Sequence, residues 1–441
     1  MTNYRPLEQL PEAAGYKNGD VLVLVGELFG RGYANGLIDE ARRLGMTVIG
    51  TTVGRRDGDG TLRPLTDEEL SEAQGILGST IINIPLEAGF DMEPACGLPS
   101  VSEQLKKLKT DEWQQTSFSD EFIAAARTAG TSRFRAALSR LAEELESRIQ
   151  AGANVLFAHS MAGGIPRARV LMPLLNRVFK GTGDKFLASA DFWGSNLGRL
   201  CDASFNEVTA DTFRYLIEET SSLRNRIQGN GGQVRYAAYG YHGTSVLVGG
   251  DYRWQSYTPY VQGWAKMRLE DIAAEFTSRG TIATVFNCPE ILTNSSALFL
   301  GVEISLYPLL TAIRREAGAA ADRLFSTCQE MLKEGETVQG MLKRADAYLS
   351  SPLLSSLVAY DSWPQHNTRE QAELMLASSA DLMGMHADQK RLVCAELSRI
   401  VFLSTGRLML HGSWAPAAPA LWLNHDIIAR LVTDPRGAGI L

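Results

Sequence analysis

Two sets of residues in this 441-residue chain have the types and spacing to do chemistry. The first is Gly26-x-x-x-Gly30-x-Gly32, set between the apolar run Val21–Val25 and a helical pattern over Gly36–Leu44. A strand that passes through a glycine turn into a helix N-terminus lets the backbone approach a pyrophosphate, and the helix end favours its negative charge. Gly26, Gly30 and Gly32 are therefore candidate cofactor-binding residues for a nicotinamide or flavin dinucleotide. The second set is Tyr257 and Lys266, at the opening of a helical pattern over Val261–Arg279. An ammonium near a phenol favours its charged form, so the tyrosine can donate a proton or hold an oxyanion while a cofactor delivers hydride.

Three further stretches bear on the same chemistry. After the second apolar run, Gly50-Thr-Thr-Val-Gly-Arg55-Arg56 has no acidic residue where an adenosine ribose hydroxyl would be held. Arginine there accommodates a 2′-phosphate, so Arg55 and Arg56 favour NADPH, with NADH as the alternative if both are only solvated loop charges. The fourth run ends in His159-Ser160-Met161-Ala162-Gly163-Gly164, small residues that admit a ribose and nicotinamide close to the backbone. Ser160 is the cofactor-binding candidate there, and His159 reads as hydrogen-bonded scaffold rather than as the active-site acid.

The elements that must position these residues follow from periodicity. Short apolar runs at Val21–Val25, Thr47–Thr51, Thr80–Ile84, Val155–Ala158, Val234–Ala238 and Ile282–Phe286 read as strands. Between them Gly36–Leu44, Arg133–Gln150, Ala210–Arg226 and Val261–Arg279 have helical spacing, with Phe134, Leu138, Leu141, Leu145 and Ile149 on one face. Right-handed crossovers then build an α/β fold, a Rossmann-like doubly wound parallel sheet with the cofactor at the carboxyl ends of its strands. Residues 89–132 break the alternation and read as an insertion. From Leu300 onward helical patterns dominate, which divides the chain into a catalytic domain over 1–335 and a helical C-terminal extension over 336–441.

Composition narrows the partners. A net charge of -7 without a long basic block gives no footprint for nucleic acid. No run of about 18 apolar residues offers a membrane span. The amino end lacks a secretory pattern, which predicts a cytoplasmic protein. Five scattered cysteines fit neither a disulfide framework nor a metal motif.

With these residues in view, the chain resembles the enoyl-thioester reductases of the short-chain dehydrogenase/reductase superfamily, most of all the trans-2-enoyl-CoA reductases and the related single-chain enoyl-ACP reductases. The glycine spacing is the one found in that superfamily. Eight residues separate Tyr257 from Lys266, as in that group, and Gly263-Trp-Ala-Lys266 is similar to its Gly-x-Ala-Lys. Tyr241-His-Gly243 resembles the Tyr-Leu-Gly that carries a second active-site tyrosine. Ile291-Leu-Thr293-Asn-Ser-Ser-Ala297 and Leu306-Tyr307-Pro-Leu-Leu resemble two later motifs of the group. The gap between Tyr241 and Tyr257 is longer than in the family, through the inserted Val248–Trp254, and Tyr260 competes with Tyr257 for the active-site role.

The resemblance implies NAD(P)H-dependent reduction of the 2,3 double bond of an enoyl thioester, an enoyl-CoA or enoyl-ACP. It implies Tyr257, Lys266 and Tyr241 as the catalytic set, with Lys266 also on the nicotinamide ribose and Thr293 on the carboxamide or phosphate. The implied partner is an acyl thioester, free or on an acyl carrier protein. Two alternatives stand beside it: a 3-oxoacyl reductase using Thr244 or Ser245 on a ketone, and a non-catalytic dinucleotide-binding protein.

Overall fold

The computed structural model describes residues 4–256, 261–293, 301–358, 360 and 365–441. Eleven strands occur among them: β1 Val21–Val25, β2 Thr47–Thr52, β3 Arg55–Arg56, β4 Leu62–Arg63, β5 Thr80–Pro85, β6 Val155–His159, β7 Val234–Gly240, β8 Gly243–Val248, β9 Asp251–Ser256, β10 Ala283–Asn287 and β11 Ala420–Trp422. Seven form one sheet in the order β11-β10-β7-β6-β1-β2-β5, and every pairing in it is parallel. The Rossmann-like doubly wound fold expected from the sequence is the one observed. β1 pairs with β2 on one side and β6 on the other, in register from Val21. The winding reverses between β1 and β6, so the crevice at their carboxyl ends is the ligand position of such a sheet.

Both faces of the sheet are covered, yet each strand still sorts its side chains by the two-residue period of the pleat. Leu22, Leu24, Leu156, Ala158, Ala237, Tyr239 and Phe286 pack with Leu37, Ile38 and Ala41 of the helix Ala34–Arg43 and with Leu397, Ile400 and Val401 of the helix Val393–Gly412. Val21, Val23, Val25, Phe157, Tyr236 and Val285 face the opposite layer, where Phe134, Leu138, Leu141 and Leu145 of the helix Asp120–Glu146 meet Leu269, Ile272 and Phe276 of the helix Val261–Ser278.

Several boundaries differ from the sequence expectation, each for a physical reason. The helix Asp120–Glu146 starts inside the stretch read as an insertion, capped by Ser119, whose hydroxyl accepts from Phe122 N at 3.2 Å. Gly130 reads as a breaker in isolation, but a Cβ there would lie 2.5 Å from Gly89 O, so the helix needs glycine for a close crossing. The Val248–Trp254 insertion folds as an antiparallel hairpin of β8 and β9 turning at Gly249 and Gly250, both at positive φ. The stretch 336–441 contributes more than helices: β11 joins the sheet beside β10 through Val285↔Ala420. Its three residues are too short for a periodicity signal. The same stretch also braces the cofactor helix, because a Cβ on Gly36 would lie 1.8 Å from Phe402 O and one on Gly406 2.0 Å from Gly36 C. Among the described residues no helix is long and apolar enough to cross a membrane.

Candidate active site

The glycine turn sits where the sheet winding reverses. Gly26 ends β1 at φ +126, a conformation that strongly favours glycine, and a Cβ there would lie 2.5 Å from Ser160 Oγ. Its N–H donates to Thr51 Oγ1 at 3.0 Å, and Ser160 donates to Val25 O through N at 2.9 Å and Oγ at 3.1 Å. The ends of β1, β2 and β6 are thus tied around one small space. At Gly30 and Gly32 an added Cβ would meet nothing within 4 Å, so this side of the turn is open. The helix Ala34–Arg43 begins there without a side-chain cap and without an acidic residue in its first turn. A helix N-terminus without a side-chain cap or an acidic residue leaves its positive end clear for a pyrophosphate, although Asn35 N and Gly36 N already donate to Gly32 O and Tyr33 O at 3.3 and 3.1 Å. Beside it Leu24, Leu28, Leu77 and Ile81, with Glu27, Thr51 and Thr52, line a small cleft.

Arg55 and Arg56 sit on β3 near this end, but both are engaged. Arg55 makes a two-pronged ion pair with Glu27 at 2.8 and 2.9 Å, and burial of the guanidinium does not offset it, so its pKa is raised. Arg56 holds Glu87 at 2.5 Å and Glu93 at 3.4 Å. Neither guanidinium stands as a bare cation awaiting a phosphate.

The other end of the site gathers at β6, β7 and β10. Lys266, on the helix Val261–Ser278, is 4% exposed. Burial lowers its pKa to about 8, partly countered by the nearby Cys288 thiol. Its charge also reaches His159, whose pKa burial drives well below the ordinary value. His159 Nε2 lies 2.8 Å from Thr212 Oγ1, and that hydroxyl donates to Val208 O, which places the ring proton on Nε2. His159 is therefore a neutral, hydrogen-bonded strut, as its sequence position suggests. The following loop is pinned by Thr209, whose Oγ1 accepts from Gly163 N at 3.2 Å and donates to Gly163 O at 2.8 Å. Thr209 belongs to a π-helical turn over Asn206–Asp211, an irregularity frequent at functional sites.

Tyr241 follows β7 directly and is half-buried, packed against the cluster that includes Phe192, Trp193 and Ala265. The β8–β9 hairpin then carries the chain out and back, its first pair being Gly243↔Ser256. The stretch from Gly243 to Ser256 is thus closed at its base. Tyr257 and Tyr260 lie outside the described residues, as does 294–300, most of the Thr293 motif. Thr293 itself is half-buried, in a loop that Leu292 N anchors to Ser398 Oγ at 2.9 Å.

Sequence reasoning missed the groups around His242. Its Nδ1 lies 3.0 Å from Glu270 Oε1, its backbone N–H donates to Asn287 Oδ1 at 3.0 Å, and Asn287 Nδ2 donates to Glu270 Oε1 at 2.8 Å. These three residues are 45 positions apart along the chain at most, on three elements, and no local pattern links them.

A Rossmann-type sheet with an open glycine turn at β1 and a buried lysine across the crevice is the arrangement of an NAD(P)-dependent reductase. The family described as "Enoyl-acyl carrier protein reductase FabMG" matches residues 3–432. The chain belongs to that family, and the enoyl reductase function expected from the sequence is thereby borne out. Among solved structures, the apo structure of FabMG is 47% identical over 98% of each chain, with a TM-score of 0.94. An NADH-bound structure of FabMG is 39% identical over 98% of each chain, with a TM-score of 0.78. Both are described as a novel type of enoyl-acyl carrier protein reductase. No curated protein sequence matches the chain.

Proposed function

We propose that this enzyme reduces the 2,3 double bond of an acyl chain held as a thioester on an acyl carrier protein, with NADH as the favoured hydride donor. Family membership over residues 3–432 is the observation that carries this reading. The cofactor choice departs from the arginine argument for NADPH. Glu27 engages Arg55, Glu87 and Glu93 engage Arg56, and a relative 39% identical was solved with NADH.

The residues divide the work by position. Gly26, Gly30 and Gly32 with the helix N-terminus admit the pyrophosphate, Ser160 lines the crevice, and Thr293 contacts the carboxamide or phosphate. The bound nicotinamide supplies a hydride for the β-carbon of the substrate. Tyr241 and Tyr257 donate hydrogen bonds to the thioester oxygen as enolate charge develops there, which is where preorganised donors lower a barrier most. Lys266 holds the ribose hydroxyls, and its ammonium, shielded from water, strengthens the acidity of the phenols.

The test offers the purified enzyme NADH or NADPH with a crotonyl thioester of acyl carrier protein, the same thioester of coenzyme A, and an acetoacetyl thioester. The expected result is cofactor oxidation with the enoyl substrates, faster with the carrier protein and with NADH. Oxidation by the acetoacetyl substrate alone would establish a carbonyl reductase and end this reading.

A further inference from the structure

The chain departs from the Tyr-Leu-Gly of the enzymes it resembles by placing His242 after Tyr241, and that histidine is the centre of a buried polar network. His242, Glu270 and Asn287 are 4%, 1% and 0% exposed. Asn287 ends β10, Glu270 sits on the helix Val261–Ser278, and His242 begins the turn between β7 and β8. One carboxylate oxygen of Glu270 accepts from both His242 Nδ1 and Asn287 Nδ2, at 3.0 and 2.8 Å. Asn287 Oδ1 accepts from the His242 backbone at 3.0 Å. The same oxygen sits 2.3 Å from where a Cβ on Gly240 would be. Asn287 thus touches the residues immediately before and after Tyr241.

Glu270 stands four residues after Lys266 on one helix, so the two side chains leave the same face one turn apart. A carboxylate on the lysine's own helix therefore grips the turn that carries the tyrosine. Rings close the network: Tyr360 stacks on His242 at 5.1 Å, and Trp254 and Trp422 each stand 5.9 Å away. Such enclosure keeps water from competing for the two side-chain hydrogen bonds, which converge on Glu270 Oε1, while Oε2 has no partner among the described residues.

We infer that Glu270, His242 and Asn287 form a clamp that sets the Tyr241 phenol relative to the Lys266 ammonium, and are positioning residues for the reduction. The inference rests on the assignment of Tyr241 and Lys266 proposed above. The clamp acts through Tyr241, and none of its members touches the substrate.

Glu270→Leu removes the shared acceptor and Glu270→Gln keeps an accepting oxygen in place. A misplacement of about 1 Å is enough for a ~100-fold loss of rate, so Glu270→Leu is expected to lower kcat by about that factor. The dissociation constant of NADH, measured by fluorescence titration, is expected to stay within about threefold, and Glu270→Gln to restore most of the turnover. In a Tyr241→Phe background Glu270→Leu should cost nothing further. Where Glu270→Leu does not fold, His242→Phe keeps the stacked ring, loses its N–H, and is read by the same ratios. Unchanged kcat in the folded variant, an undiminished loss in the Tyr241→Phe background, or failure of Glu270→Gln to rescue would each overturn the clamp. Full activity of Tyr241→Phe alone would instead remove the tyrosine assignment, and absence of enoyl reduction in the parent enzyme would remove the proposed function.

Discussion

The two ends of the crevice are built on opposite plans. At the β1 end the functional groups are backbone atoms and absent side chains, set by Gly26, Gly30 and Gly32 within seven residues of sequence and open at Gly30 and Gly32. At the β7 and β10 end they are buried polar side chains, with His242 and Asn287 from two elements meeting Lys266 and Glu270 of one helix, all almost wholly enclosed. A pyrophosphate keeps part of its hydration and needs donors within reach, which one turn supplies. A developing enolate gains most from dipoles held in a site without water, and only several packed elements exclude it.

The contrast can be broken most severely at the enclosed end. Lys266→Met, which keeps the aliphatic length and removes the charge, is expected to lower kcat by about 10³-fold, the scale of losing a preorganised electrostatic group. Steady-state turnover of an enoyl thioester measures it, and a loss under tenfold would argue that enclosure matters little there. The same residue gives a pH signature. With its pKa lowered by burial to about 8 against a reference of 10.5, the ammonium is lost on raising the pH through 8. Cofactor affinity should then fall above pH 8. Stability should move the other way, since between 8 and 10.5 the unfolded chain binds the proton and the folded chain does not, so melting temperature gains over that window.

The open end depends on a brace behind it. Glu40, on the cofactor helix, is wholly buried and accepts from His411 Nε2 at 2.7 Å and from Arg43 at 2.6 and 2.8 Å, with Arg407 at 3.3 Å. Burial opposes its charge, yet the hydrogen bonds and charges of Arg43 and His411 outweigh this and hold its pKa at about 2. Glu40→Ala leaves the buried Arg407 guanidinium without its carboxylate and His411 and Arg43 without their acceptor, and is expected to cost about 3 kcal/mol in chemical denaturation. Because the folded-state pKa is depressed, this contribution is complete above about pH 4.5 and disappears as the pH falls towards 2, so the gap between parent and variant should close in acid.

Two smaller effects sharpen the comparison. Gly26→Ala forces a Cβ to 2.5 Å from Ser160 Oγ at a positive φ, and backbone strain of about 1–3 kcal/mol there should weaken cofactor binding roughly tenfold while leaving the clamp at the other end intact. Isothermal titration with the cofactor tests it. Arg55→Gln should change the NADH dissociation constant by under about threefold, since a partly exposed ion pair such as Arg55–Glu27 is worth at most about 1 kcal/mol. A tenfold loss of NADPH affinity in that variant would reinstate Arg55 as a 2′-phosphate ligand.

Within this molecule, what was legible in advance followed the range of the interactions. Val21–Val25 into Gly26 was readable because strand, turn and helix are contiguous, and each residue's preference agrees with its neighbours'. The assignment proposed for Lys266 rests on its spacing from Tyr257 and the motif around it. The engaged state of Arg55 was not, because Glu27 lies on the other side of β2 in sequence and approaches only when the loops fold back together. Gly130 and Gly36 are points of close backbone approach to Gly89 and Phe402, which no local pattern announces.

The sequence by itself determined the strand runs and the glycine turn that follows β1, since periodicity of two or 3.6 and turn chemistry are properties of neighbouring residues. Tertiary structure alone decided that Ala420–Trp422 would complete the sheet, that the helix Val393–Gly412 would brace the cofactor helix, and that Glu270 would reach the turn beside Tyr241. Those choices depend on which buried donors and surfaces meet across tens or hundreds of residues. A buried polar atom must find its partner wherever the fold brings one, whatever its distance along the chain.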